Sequence, residues 1–232
     1  MPRFETVPKK SKGGLCVLIQ TGQTVLFQGD SITDCGRPRD DSDSHLGLGY
    51  PSLIAAQLPF RQPQLEITFV NRGVGGGRVP SLQERWQGDC IDLKPDWVSI
   101  LIGINDACAI AGDDLPGYDV DGYEAGYRDI LTQVRDETGA RLIILEPFLL
   151  HTEHPYDFIS PIAKIRQALD PIIQVARTLG AEFDAITVPL DDMFQETSKD
   201  VDPAHWAADA IHPTPAGHAF IANAWLKAVG AM

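Results

Sequence analysis

An α/β fold, a parallel sheet with helices on both faces, is what the sequence predicts, on three observations. Short β-branched and aromatic runs alternate along the 232 residues with longer segments of helical apolar spacing. Several of those runs stop at a glycine followed by short polar residues, as strands do where a parallel sheet presents its carboxyl edge. No repeat, heptad run, low-complexity stretch or linker breaks the alternation. Residues 15–232 are therefore expected to form a single domain behind a mobile, Lys- and Gly-rich arm at 1–14.

Taken in order, Leu15 to Ile19 reads as a small edge strand turned at Thr21-Gly22. Thr24 to Gln28 is a buried strand, and Gly29 breaks it ahead of Asp30, Ser31, Thr33 and Asp34. Such a break exposes one side chain at the strand's carboxyl end, which makes Ser31 the first candidate nucleophile. The competing reading of Ser31 is an N-cap serine. Residues 35–48 are a loop, whose Asp40, Asp41 and Asp43 lack calcium-loop spacing and stand near no His-x-x-x-His pair. Tyr50 to Leu58 is a helix ending at Pro59, and Leu65 to Val70 a strand running straight into Asn71-Arg72-Gly73-Val74-Gly75-Gly76-Gly77-Arg78. These glycines do not make a dinucleotide fingerprint, because Arg78 stands where the third glycine should be. Gly103, not an acidic residue, follows the next strand. Close approach of backbone to a reacting group remains as their use.

Val79 to Trp86 is a helix, and Trp97 to Ile102 a continuous apolar strand entering Gly103-Ile104-Asn105-Asp106. Ala107 to Val120 reads as a long Gly/Asp/Pro loop and Asp121 to Glu137 as a helix. The fourth strand, Arg141 to Leu145, leads into a loop at 146–160 with His151 and His154. A helix from Pro161 to Leu179, interrupted at Pro171, is followed by the fifth strand, Phe183 to Val188, and a short helix near Leu190–Glu196. After a polar stretch come Trp206, Asp209, His212 and Pro213, and Thr214 to Val229 makes the last helix.

A net charge of −13 and a sequence pI of about 4.7 argue against nucleic acid or an anionic membrane surface as partner. Cys16, Cys35, Cys90 and Cys108 form no Cys-x-x-Cys pair and read as reduced thiols. The cationic N-terminus has no apolar stretch behind it long enough for a signal peptide or a spanning helix, so a cytoplasmic location is expected. Assembly into a homo-oligomer is left open.

Right-handed crossovers bring the carboxyl ends of parallel strands to one edge. Ser31, the glycines at 73–77, Asn105, Asp209 and His212 should therefore converge there. Together they suit acyl transfer. The Ser31 hydroxyl attacks a carbonyl, His212 takes its proton and Asp209 orients the imidazole. The backbone N–H groups of Ser31 and Gly76 and the Asn105 amide stabilise the oxyanion. Asp209 and His212, three apart, can meet in a turn, which Pro213 favours. Asp30 and Trp206 are expected to touch substrate, with Trp86, Tyr118, Tyr123 and Tyr156 as further rim aromatics.

Four blocks carry a resemblance: Gly-Asp-Ser-Ile-Thr at 29–33, Asn-Arg-Gly-Val-Gly-Gly at 71–76, Gly-Ile-Asn-Asp at 103–106 and Asp-Ala-Ile-His-Pro at 209–213. In that order they resemble the SGNH (GDSL) hydrolase superfamily. The resemblance implies a flavodoxin-like three-layer α/β/α fold, with a five-stranded parallel sheet in order 2-1-3-4-5. It also implies an ester hydrolase without cofactor or metal, using Ser31, Gly76, Asn105, Asp209 and His212. The stretches 31–37, 94–99 and 213–218 are similar to those of acetylxylan-esterase-like members, which points to a small-molecule or oligosaccharide ester as substrate. Ala107-Cys108 and Gly75-Gly76-Gly77 depart from the pattern of those members. Three alternatives stand beside this reading. They are a thioesterase or lysophospholipase on the same fold, a carbohydrate-binding module without activity, and, more remotely, a metal enzyme using Asp30, Asp34, His205 or His218. The polar composition of 107–120 speaks against a lipid groove.

Overall fold

The computed structural model describes residues 17–38, 45–112, 114–153, 155 and 161–232. The expected arm at 1–14, Leu15 and Cys16, the acidic cluster at 40–43, Asp113, His154 and Tyr156 lie outside the described residues.

Five parallel strands form one sheet in the order β2-β1-β3-β4-β5: β1 (Thr24–Gly29), β2 (Thr68–Asn71), β3 (Trp97–Leu101), β4 (Arg141–Leu145) and β5 (Ile186–Val188). The order reverses between β1 and β3, and an open α/β sheet leaves a crevice beyond its strand ends where its order reverses. In β1 and β3 every residue beyond Thr24 is buried, as expected of central strands covered on both faces. In register Leu26 lies beside Val70 on one side and Val98 on the other.

The helices are α1 (Ser31–Asp34), α2 (Tyr50–Arg61), α3 (Val79–Trp86), α4 (Ile104–Gly112), α5 (Val120–Gln133), α6 (Ile162–Glu182), α7 (Leu190–Thr197), α8 (Pro203–Trp206) and α9 (Pro215–Ala228). One π-helical turn follows α3 and another follows α5. Helices α2 and α9 pack together, as do α3 with α5 and α4 with α6. The core continues through Phe27, Trp97 and Trp225, all at or below 1% exposure. No described helix is long and apolar enough to cross a membrane.

Several elements differ from the sequence reading. Val17 to Ile19 form no strand. Helix α2 runs past Pro59 to Arg61, and α6 runs through Pro171 to Glu182. Because α6 is longer, Phe183 caps it, Asp184 takes a left-handed turn (φ 52) and β5 begins only at Ile186. Residues 104–112, read mostly as loop, are α4, in which Ala107, Ala109 and Ala111 are buried. His205, named in the sequence reading as a remote metal-ligand candidate, lies in the short helix α8.

Candidate active site

Ser31 is the first residue of α1, one position beyond the residue that caps it. The cap is Asp30, whose Oδ1 accepts the Ile32 N–H at 2.9 Å, so Ser31 is not itself the N-cap. A Cβ on Gly29 would collide with Thr33 Oγ1 and with the Leu101 carbonyl oxygen. Only glycine lets β1 turn this tightly beside β3, and the turn lifts Ser31 onto the sheet edge.

At that edge Ser31 Oγ lies 2.8 Å from His212 Nε2, and His212 Nδ1 lies 3.0 Å from Asp209 Oδ2. The loop that carries the pair folds on itself. Asp209 Oδ1 accepts the backbone N–H of His212 at 2.7 Å and of Ile211 at 3.1 Å, as in an Asx turn. One carboxylate therefore fixes both the loop and the ring. With Nδ1–H directed at Asp209, Nε2 is left as the acceptor for the serine hydroxyl. Burial raises the Asp209 carboxyl, but hydrogen bonds from the His212 ring and from the His212 and Ile211 amides outweigh it and leave it below the ordinary range. The hydrogen bond to Asp209 raises His212 above 6.5, against the effect of partial burial.

The glycine loop supplies a donor by elimination. Gly75 N–H is held by Asp34 Oδ2 at 3.1 Å and Gly77 N–H by the Val74 carbonyl at 3.0 Å. Gly76 N–H between them has no acceptor among the described residues. Its φ of +74° is the left-handed conformation that glycine adopts without strain, and a Cβ there would meet open space. Ser31 N–H, at the first position of α1, is likewise without an acceptor among them. Asn105, in the first turn of α4, donates one amide hydrogen to the Gly77 carbonyl at 3.1 Å and keeps the other. The structure thus brings Ser31, Asp209 and His212 together, and Asn105 against the glycine loop.

Other expected residues take different places. Asp30 is 1% exposed, so its carboxylate caps α1 from inside and is not a surface for substrate. Burial pushes its carboxyl up to about 7, and Oδ2 has no hydrogen-bond partner. Trp206 is half-buried and packs on Phe194, Phe220 and His205, protein aromatics rather than a free rim. Trp86 and Tyr123 are core residues at 1% and 0% exposure. Tyr118 turns its hydroxyl inward onto Asp106 at 2.6 Å. His218 accepts the Tyr50 N–H on Nδ1 at 3.2 Å and faces Cys35 Sγ through Nε2 at 3.3 Å. Burial and the neighbouring His212 bring it down to about 4, so it stays neutral.

Sequence reasoning gave no role to several residues that brace this edge. Asp106 Oδ1 accepts both the Val79 N–H at 3.0 Å and the Tyr118 hydroxyl, which ties α4 to the start of α3. Asn71 donates to the Thr33 and Leu46 carbonyls and accepts the Gly73 N–H, which ties β2 to the nucleophile turn. Arg37 donates to the Gly73 carbonyl at 3.2 Å. For Asp106 and Asn71 the signal was their place inside the blocks beside Asn105 and the glycines.

A sheet in order 2-1-3-4-5, with hydroxyl, imidazole and carboxylate in a hydrogen-bonded row at its carboxyl edge, is an arrangement made for acyl transfer. The chain belongs to the GDSL-like lipase/acylhydrolase family, whose model matches residues 27–220, and is a carboxylic ester hydrolase. Among individual proteins, it is 34% identical to an acetylxylan esterase from Geobacillus stearothermophilus over 91% of this chain and 96% of that protein. The crystal structure of that esterase superposes with a TM-score of 0.80 over 92% of this chain and 96% of its own. Solved variants of it with a serine, an aspartate or a histidine replaced are described as catalytic mutants. A GDSL-like lipase, so assigned, from Parabacteroides merdae ATCC 43184 superposes with a TM-score of 0.85 at 33% identity, covering 93% of this chain and 99% of that one.

Proposed function

We propose that this ester hydrolase removes acetyl groups from acetylated oligosaccharides, xylo-oligosaccharides foremost, with Ser31 as nucleophile. The observation that carries the reading is the row from Ser31 Oγ through His212 to Asp209, at 2.8 and 3.0 Å. The similarity to an acetylxylan esterase over most of both chains supports the substrate, and the replacement of a serine, an aspartate and a histidine in the catalytic variants of that esterase supports the choice of Ser31, Asp209 and His212 by residue type.

In the first half-reaction Ser31 Oγ bonds to the acetyl carbon while its proton passes to His212 Nε2. Negative charge grows on the carbonyl oxygen, against the Ser31 and Gly76 N–H groups and the Asn105 amide. His212 then gives the proton to the sugar oxygen as its bond to the acetyl carbon breaks. In the second half a water attacks the acetyl-serine, His212 takes its proton, and acetate leaves as Ser31 recovers its hydrogen. Asp209 stays ionised throughout and holds the ring.

The test is acetate release from acetylated xylo-oligosaccharides by the native enzyme and by Ser31→Ala, beside 4-nitrophenyl esters of increasing chain length. A folded alanine variant should lose nearly all activity, and acetyl should be preferred to butyryl by about tenfold or more, since each excluded methylene is worth about 1–3 kcal/mol. Activity climbing from acetyl to octanoyl with no acetate released from the sugar would favour a lipid or thioester hydrolase.

A further inference from the structure

Beside the oxyanion donors lies a pocket of about 340 Å³ lined by Gly76, Arg78, Asn105, Cys108, Ala109 and Asp114. It is within the usual size range of small-molecule sites, about 300–1,000 Å³. Two of its walls are charged, Arg78 and Asp114, and neither forms an ion pair with a described residue. Five other guanidinium groups of this acidic chain, those of Arg85, Arg128, Arg135, Arg166 and Arg177, meet carboxylates at 2.5–2.7 Å, while Arg61 bonds Gln57 and Arg141 lies over the Trp97 ring. Arg78 makes no ion pair with any described carboxylate, and Asp114 none with any described cation. They do not pair with each other, although they line the same pocket. Arg78 lies near enough to the buried Asp106 to favour its ionised form but does not bond it: the Val79 N–H and the Tyr118 hydroxyl take Oδ1, and Oδ2 has no hydrogen-bond partner among the described residues.

We propose that Arg78 and Asp114 form a subsite for a neutral, hydroxyl-rich carrier of the acyl group, a sugar ring held by its hydroxyls beside the Gly76–Asn105 donors. The inference rests on the ester-hydrolase reading of that edge and specifies what sits next to the acetyl group. A guanidinium offers only donors and a carboxylate only acceptors, and a sugar hydroxyl is both, so one ring can satisfy both walls. An alkyl chain would have to strip water from two unpaired charges and return nothing. A polyphosphate-bearing thioester would meet Asp114 and the field of a chain of net charge −13. Opposite charges held apart therefore select against both lipid and anionic carriers. The arginine also gives a use to the residue that interrupts the glycine run.

The experiment compares kcat and KM for the native enzyme, Arg78→Ala and Asp114→Asn on acetylated xylo-oligosaccharides and on 4-nitrophenyl acetate, which has no sugar. Each substitution should lower the ratio of sugar to aryl kcat/KM by about tenfold, mainly through KM, as expected for loss of hydrogen bonds to a charged group. Deacetylated xylo-oligosaccharide should inhibit aryl acetate hydrolysis competitively in the native enzyme, and more weakly in both variants. Equal losses on the two substrates, or an unchanged ratio, would overturn the subsite while leaving the acetylesterase reading intact. A native enzyme that hydrolyses aryl acetate but releases nothing from acetylated sugars would overturn both.

Discussion

At the scale of single residues the proposed chemistry depends on which hydrogen goes where, and in that proposal His212 decides it. Its pKa is raised by the hydrogen bond to Asp209, so the neutral base is lost as pH falls through a value above 6.5. The acid limb of kcat/KM should lie above pH 6.5 in the native enzyme and move to lower pH in Asp209→Asn, with a large fall in the plateau. A limb that stays in place in the variant would mean that another group titrates. On the proposed mechanism Asn105→Ala should lower kcat by about 100-fold or more with little change in KM, since the amide hydrogen not given to Gly77 is the one proposed to meet the transition-state oxygen. The placing of Ser31 and Asn105 at the sheet edge was legible because each follows a strand that breaks at a glycine, whereas Asp209 and His212 lie two helices beyond β5 and showed only in their three-residue spacing before a proline. The aromatics were not legible. Trp86 and Tyr123 are core residues and Trp206 packs on its own neighbours, because a large ring is worth about 1.5–3 kcal/mol wherever it is buried and carries no mark of which surface buries it.

At the scale of elements, the strand–helix alternation and the start of α3 at Val79 were written in apolar periodicity, but helix ends were not. Proline was the misleading signal. Pro171 removes one hydrogen bond from α6, about 3 kcal/mol, yet Ile165, Leu169, Ile172, Ile173 and Leu179 are buried on both sides of it. Five such side chains at about 1.5–3 kcal/mol each outweigh the break. Helix α4 was missed for the opposite reason, because small residues and the glycine and aspartates that follow hide a run of good helix formers. That helix matters for placement, since it carries Asn105 and is fastened to α3 through Asp106. Asp106→Ala leaves the Val79 N–H and the Tyr118 hydroxyl without their acceptor. The expected loss is about 2–3 kcal/mol, or about 5–10 °C in Tm for a chain of this size, with a lower kcat and a nearly native KM. Asp106→Asn keeps one acceptor and should recover most of kcat. Equal damage from Asn and Ala would assign the effect to charge instead.

At the scale of the whole molecule, buried ionisable groups near the site set how stability follows pH. Burial raises Asp30 to about 7 and Asp106 to about 6, so the folded chain holds protons that the unfolded chain releases near pH 4. For such acids stability falls as pH rises, from about 4 through 6 for Asp106 and through 7 for Asp30. His218, lowered to about 4, works the other way between about 4 and 6.5. Asp30→Asn keeps the cap acceptor and removes the titration. Its Tm relative to the native protein should climb from pH 4 to 7 and level off above, and a difference constant across that range would contradict the assignment. The longest connection in the site has a further meaning, in time. Ser31 and His212 meet across 181 positions of chain. On a ribosome adding about 5–20 residues per second, the nucleophile is made on the order of 10–40 s before its base. Under the proposed mechanism the hydroxyl acquires its base only when the 209–213 turn docks. Recovery of esterase activity after dilution from denaturant should accordingly lag the return of sheet signal and coincide with docking of α9, so that the enzyme reports its own completion.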